Sequence, residues 1–144
     1  MSGRHVKIII DICMTIFLIL SFVRWSGTNG AFFHFTVGSL CALFFAAHIF
    51  VHRKWIKAIT KSCLAGKLNK SLKWKYIINM LLLFVWAISI LTGFIALAPF
   101  FDAASGVYVI GRVHGITARI GLGLIVIHIA QHLPQIKSYF GIKK

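Results

Sequence analysis

Residues 34–52 read HFTVGSLCALFFAAHIFVH, and residues 114–132 read HGITARIGLGLIVIHIAQH. Both stretches are apolar apart from a few small polar residues, Arg119 and Gln131, and both carry three histidines at the same spacing. The first holds His34, His48 and His52; the second holds His114, His128 and His132, offset by 80 residues. Apolar runs of this length lack the two-residue alternation of a strand. In a bilayer core, where no water satisfies the backbone, they are expected to be helices. A helix turns by about 100° per residue, so 14 steps bring a side chain back to within about 40° of its starting angle and 18 steps return it fully. Each triad therefore occupies one helix face.

Two further apolar runs complete the pattern. The expected spans are 8–23, 31–51, 76–98 and 113–133, with Pro99 and Pro134 marking the ends of the third and fourth. The fold class expected is all-α, a transmembrane four-helix bundle forming a single domain over residues 1–144. The longer middle connection, residues 52–75, is basic and is flanked by Trp55 and Trp74, a residue type that favours the headgroup level. Ile56, Ile59 and Cys63 suit a short interfacial helix within it.

Composition agrees. Of 144 residues, 59% are hydrophobic and 12% charged, against about a quarter charged in a soluble domain. Only Asp11 and Asp102 are acidic. A formal charge of +14 on a soluble surface would point to nucleic acid. Here the cations cluster between apolar runs, with Arg53, Lys54, Lys57, Lys61, Lys67, Lys70, Lys73 and Lys75 in one connection. Anionic lipid is the expected partner, and nucleic acid is not. By the positive-inside rule this connection and both termini, with Arg4, Lys7, Lys137, Lys143 and Lys144, face the cytoplasm. The other two connections carry only Arg24 and Arg112. The location expected is the inner, cytoplasmic membrane. Cys13, Cys41 and Cys63 are odd in number and imply no disulfide framework, and no C-x-x-C-H motif for covalent haem is present.

With this orientation the second and fourth spans run in the same direction, so His34 comes level with His114 and His48 with His128. The two levels lie about 21 Å apart along the helices. Paired neutral imidazoles at two depths suit two b-type haems, each ligated axially by two histidines: His34 and His114 for the outer iron, His48 and His128 for the inner. Gly38, Ala118 and Gly121 are small enough to let a flat ring approach the backbone. Arg112 and Arg119 are expected to pair with propionates. His52 and His132, one turn further in, are expected near the headgroup boundary as propionate contacts or interfacial side chains rather than ligands. His5 reads as a tail residue. Zinc is the rival occupant of His48, His52, His128 and His132, but it leaves His34 and His114 without a role.

The His34-x3-Gly38 opening, the histidine 14 residues later and the following His52-Arg53-Lys54-Trp55-Ile56 resemble the small four-helix cytochrome b family associated with flavinylated proteins. That family is related to the di-haem cytochrome b subunits of bacterial membrane oxidoreductases. The resemblance implies a bis-histidine electron carrier working with a flavin-bearing or iron–sulfur redox partner, with His34, His48, His114 and His128 as the axial set. Departures are Ala118 in place of a second glycine, and Leu133-Pro134 where the first repeat has Arg53-Lys54. Two six-coordinate haems leave no open iron position, so one-electron transfer is expected, with quinone as the lipid-soluble partner and no catalytic residue. Asp11, the acidic residue within a span, reads either as a functional group or as a local partner of Lys7. Asp102 falls in an outer connection, and Ser89 and Thr92 are expected to bond their own backbone or approach a haem. Two other readings stay open: an autonomous quinone- or superoxide-linked oxidoreductase, and a histidine-lined metal-binding or transport protein.

Overall fold

The computed structural model describes residues 3–23, 28–97 and 104–139. Four α-helices account for them: α1 (Gly3–Ser21), α2 (Thr28–Leu64), α3 (Lys70–Leu97) and α4 (Ala104–Tyr139). No strand occurs among the described residues, so the all-α class holds, and four long helices fit a helical bundle. Arg24, Pro99, Asp102, Lys143 and Lys144, and residues 25–27 of the first connection, lie outside the described residues.

Three helices are long and apolar enough to cross a membrane: Gly30–Leu64, Lys70–Ala96 and Val109–Ser138. Three of the four expected spans are therefore matched among the described residues; α1, with 19 described residues, is not among them. Large apolar side chains face outward along every helix, including Ile16, Phe32, Leu43, Phe84 and Val126. The buried apolar set is small by comparison: Leu18, Val37, Cys41 and Leu82. Such a distribution is untenable in water and suits contact with lipid tails.

The helix boundaries correct the sequence reading in two places. The middle connection is mostly not a loop, because α2 continues unbroken to Leu64 and carries Arg53, Lys54, Lys57 and Lys61 with it. It ends in a Schellman motif: the Lys67 amide donates to the Ser62 carbonyl at 3.0 Å, and the Gly66 amide to the Cys63 carbonyl at 3.0 Å. Gly66 adopts φ 67°, a conformation that a residue with a Cβ enters at a cost. α3 then starts at once, with the Asn69 side chain accepting from the Leu72 amide at 2.9 Å as an N-cap. Helix-forming residues run through 53–64, and the strong stop signals are confined to Gly66 and Asn69.

The second correction is Pro134, which lies inside α4 instead of ending it. Proline removes one backbone donor and crowds the preceding turn. Flanking segments without a competing turn signal carry the helix across that single lost bond to Tyr139.

The chain divides into two compact units, Met1–Lys61 and Ser62–Lys144. In the first, α1 lies antiparallel to α2, with Asp11 meeting His48 near one end and Ser21 meeting His34 near the other. Between them the Cys41 thiol points to the Met14 carbonyl at 4.0 Å, and the rings of Phe17 and Phe44 stack at 5.4 Å. In the second unit, α3 packs along α4, again antiparallel: Asn79 meets His128 and Ser89 meets His114.

Candidate functional site

Each histidine expected as an axial ligand is held through Nδ1 by an oxygen of the neighbouring helix in its own unit. In the first unit His34 Nδ1 donates to the Ser21 backbone carbonyl at 2.9 Å, and His48 Nδ1 to Asp11 Oδ1 at 2.7 Å. In the second, His114 Nδ1 donates to the Ser89 carbonyl at 2.8 Å, and His128 Nδ1 to Asn79 Oδ1 at 2.9 Å. A carbonyl or carboxylate oxygen only accepts, so Nδ1 carries a proton, and in the neutral ring Nε2 then holds the lone pair. This is the tautomer, and the ring anchoring, that metal-ligating histidines use. Each anchored imidazole taken singly thus has the chemistry of a ligand to haem iron.

The second histidine of each pair recurs in the same geometry. His48 and His52 have ring centroids 4.6 Å apart, tilted by 41°; His128 and His132 lie 4.7 Å apart, tilted by 47°. His132 Nδ1 is bonded to Gln135 Oε1 at 2.8 Å, and its Nε2 is buried without a hydrogen-bond partner among the described residues. A buried nitrogen in that state is costly until something binds it.

The small residues divide by what surrounds them. A Cβ at Gly38 would meet nothing within 4 Å, leaving open space on that face of α2. Ala118 is half-buried. Gly121 has a reason to be small within its own unit, since a Cβ there would stand 3.0 Å from Trp86 Nε1. Gly93, which the sequence did not single out, lets His114 settle on α3: its Cβ would fall 3.1 Å from both Cε1 and Nδ1 of that imidazole.

Arg112 and Arg119 line a shallow groove on α4 with Gly111, Gly115 and Ile116. Counted round the helix they lie about 140–160° from His114, so a propionate contact from either requires its long side chain to reach round from that face. Asp11 engages His48 across the hairpin, whereas the sequence offered Lys7 as its local alternative. Thr92 bonds its own backbone at the Ile88 carbonyl, 2.7 Å away, as expected. Ser89 is buried at 2% exposure and contributes its carbonyl, with its hydroxyl 3.5 Å from His114 Nδ1.

The supporting residues reveal a second repeat that the histidine spacing did not. Asp11 and Ser21 are ten residues apart on α1; Asn79 and Ser89 are ten apart on α3. The flanks match as well, Ile9-Ile10-Asp11 against Ile77-Ile78-Asn79. Each unit is thus the same helical hairpin, with an acceptor side chain at one end and a serine carbonyl at the other. The signal was available at an offset of 68 residues, obscured because the apolar residues between differ freely.

One cluster has a further capacity. Asp11, His48 and His52 each place a ligand atom within 4.8 Å of the others, near enough to hold a metal ion. No family model, no curated protein and no solved structure matches this chain.

Proposed function

We propose that this chain is a membrane electron carrier binding two b-type haems, each ligated by one histidine of either triad: His34 with His114, and His48 with His128. The observation that carries the reading is the anchoring of four imidazoles through Nδ1 by Ser21, Asp11, Ser89 and Asn79, which presents Nε2 as the donor in every case. Bound there, haem supplies one-electron chemistry. The protein's part is to fix ring orientation, to supply neutral imidazole at each axial position and to keep the sites among apolar helices.

The partners that suit this role are a quinone in the lipid phase and a flavin-bearing or iron–sulfur protein at the membrane face, with the chain serving as the membrane subunit of an oxidoreductase. The cytoplasmic membrane, with both termini and the Arg53–Lys75 segment inside, follows from the charge distribution. His52 and His132 sit beside the inner ligands as propionate partners.

The deciding experiment is a reduced-minus-oxidised visible spectrum and a haem assay on protein expressed with haem precursor. Two haems per polypeptide, with low-spin b-type bands, are expected. A folded, colourless preparation refutes the proposal. Quinol oxidation by the purified chain alone would instead favour an autonomous oxidoreductase over a partner-dependent subunit.

A second reading rests on the Asp11, His48 and His52 cluster, which offers one carboxylate and two imidazoles to a divalent first-row ion. An ion placed between Asp11 and His48 must displace the proton they share at 2.7 Å. Elemental analysis showing a stoichiometric metal in colourless protein, lost on His52→Ala, would support it.

A further inference from the structure

The two hairpins present the same two anchoring positions each, with one difference in charge. His34 and His114 both give their Nδ1 proton to a serine backbone carbonyl. The inner pair is unequal: His48 gives its proton to the Asp11 carboxylate at 2.7 Å, whereas His128 gives its proton to the neutral Asn79 amide at 2.9 Å. Asp11 and Asn79 hold equivalent places in the two repeats, so one carboxylate is added to an otherwise matched set. Asp11 is also the only acidic residue among the described residues.

An imidazole that donates Nδ1–H to a carboxylate is more basic at Nε2 than one that donates to an amide. The fixed negative charge beside it adds an electrostatic preference for the more positive of two oxidation states. Both effects stabilise ferric over ferrous iron. Both act far less on the outer pair, whose acceptors are uncharged and lie about 15 Å along the helices from Asp11 and Asn79.

We infer that Asp11 is a positioning residue that lowers the reduction potential of the inner haem relative to the outer one, through its hydrogen bond to His48. The inference rests on the haem reading of His48 and deepens it. That shift favours electron flow from the inner level to the outer. Asn79 in the second hairpin marks where the same device is absent.

The test is a potentiometric titration of the full-length chain, haem-loaded during expression and held in lipid nanodiscs, for the unaltered protein, Asp11→Asn and Asn79→Asp. His34→Ala protein, which lacks the outer haem, assigns the inner one. Asp11→Asn is expected to change the ferric-to-ferrous preference of the inner haem about tenfold towards ferrous. For a one-electron couple this is a rise of about 59 mV, with the outer potential unmoved and the low-spin ferric resonance of the inner haem displaced. Asn79→Asp is expected to move the same haem in the opposite direction.

If both haems are retained and neither substitution moves the inner potential, or if both haems move equally, the inference is overturned while the haem reading stands. Should Asp11→Asn fail to load haem, Asn79→Asp decides alone: a lowered inner potential supports the inference and an unchanged one overturns it. Colourless unaltered protein defeats the underlying haem reading instead, and the inference with it.

Discussion

Gly93→Ala separates the alignment of a ligand from the stability of the helices that carry it. The new Cβ would stand 3.1 Å from Nδ1 and Cε1 of His114, where carbon contacts settle at about 3.5–4.0 Å. Relief requires the ring to retreat by roughly half an ångström. That lengthens its 2.8 Å bond to the Ser89 carbonyl to about 3.3 Å, beyond a sound hydrogen bond. The lost bond is worth about 1 kcal/mol, and alanine's better helix propensity returns about the same amount at an interior position. The melting temperature of haem-free protein in detergent should therefore change little. Loss of an orienting partner lowers metal affinity by about 10–100-fold, so the variant should carry close to one haem per chain, with the outer haem depleted. Circular dichroism melts together with a haem assay read both quantities. Full loading of two haems with an unchanged spectrum would refute the placement of His114 on Gly93 as the basis of the outer site.

Three further outcomes follow from the same geometry. His34→Ala and His114→Ala should each remove the outer haem alone, and His48→Ala and His128→Ala the inner alone; spectra of the four proteins that pair His34 with His128 would contradict the axial assignment. His52→Ala and His132→Ala should retain two haems by the same assay if His48 and His128 are the axial pair, because these rings only lie tilted beside those two, at 4.6 and 4.7 Å between centroids. Pro134→Ala should raise the melting temperature, by an amount corresponding to up to about 3 kcal/mol, and leave the haem content unchanged, since the proline interrupts the backbone bonding of α4 one turn beyond Gln131.

The helical class and the two histidine triads were legible because they depend on periodicity and on the cost of bare backbone in lipid, both visible in a single chain. What holds the imidazoles was not. Ser21 and Ser89 act through backbone carbonyls, which every residue possesses, so composition gives no hint of them. Asn79 was hidden for another reason, since one amide in an apolar helix stands out only when aligned with Asp11 at the matching place in the other hairpin. Gly93 and Trp86 are tertiary complements of His114 and Gly121, and neither partner announces the other at a distance in sequence. The overrun of α2 was misjudged because a dense run of lysines resembles a solvated loop, while lysine and alanine are good helix formers. Only Gly66, with its positive φ, and the cap at Asn69 carried the true stop.

The uninterrupted course of α2 has a mechanical consequence. At 37 residues it is about 55 Å long, well beyond a hydrocarbon layer of about 30 Å. Its last turns therefore form a stiff, cationic spar joined without a hinge to the segment bearing His48 and His52. A load placed on Lys57 or Lys61 is carried along one unbroken helix to His52 and His48, within about four turns.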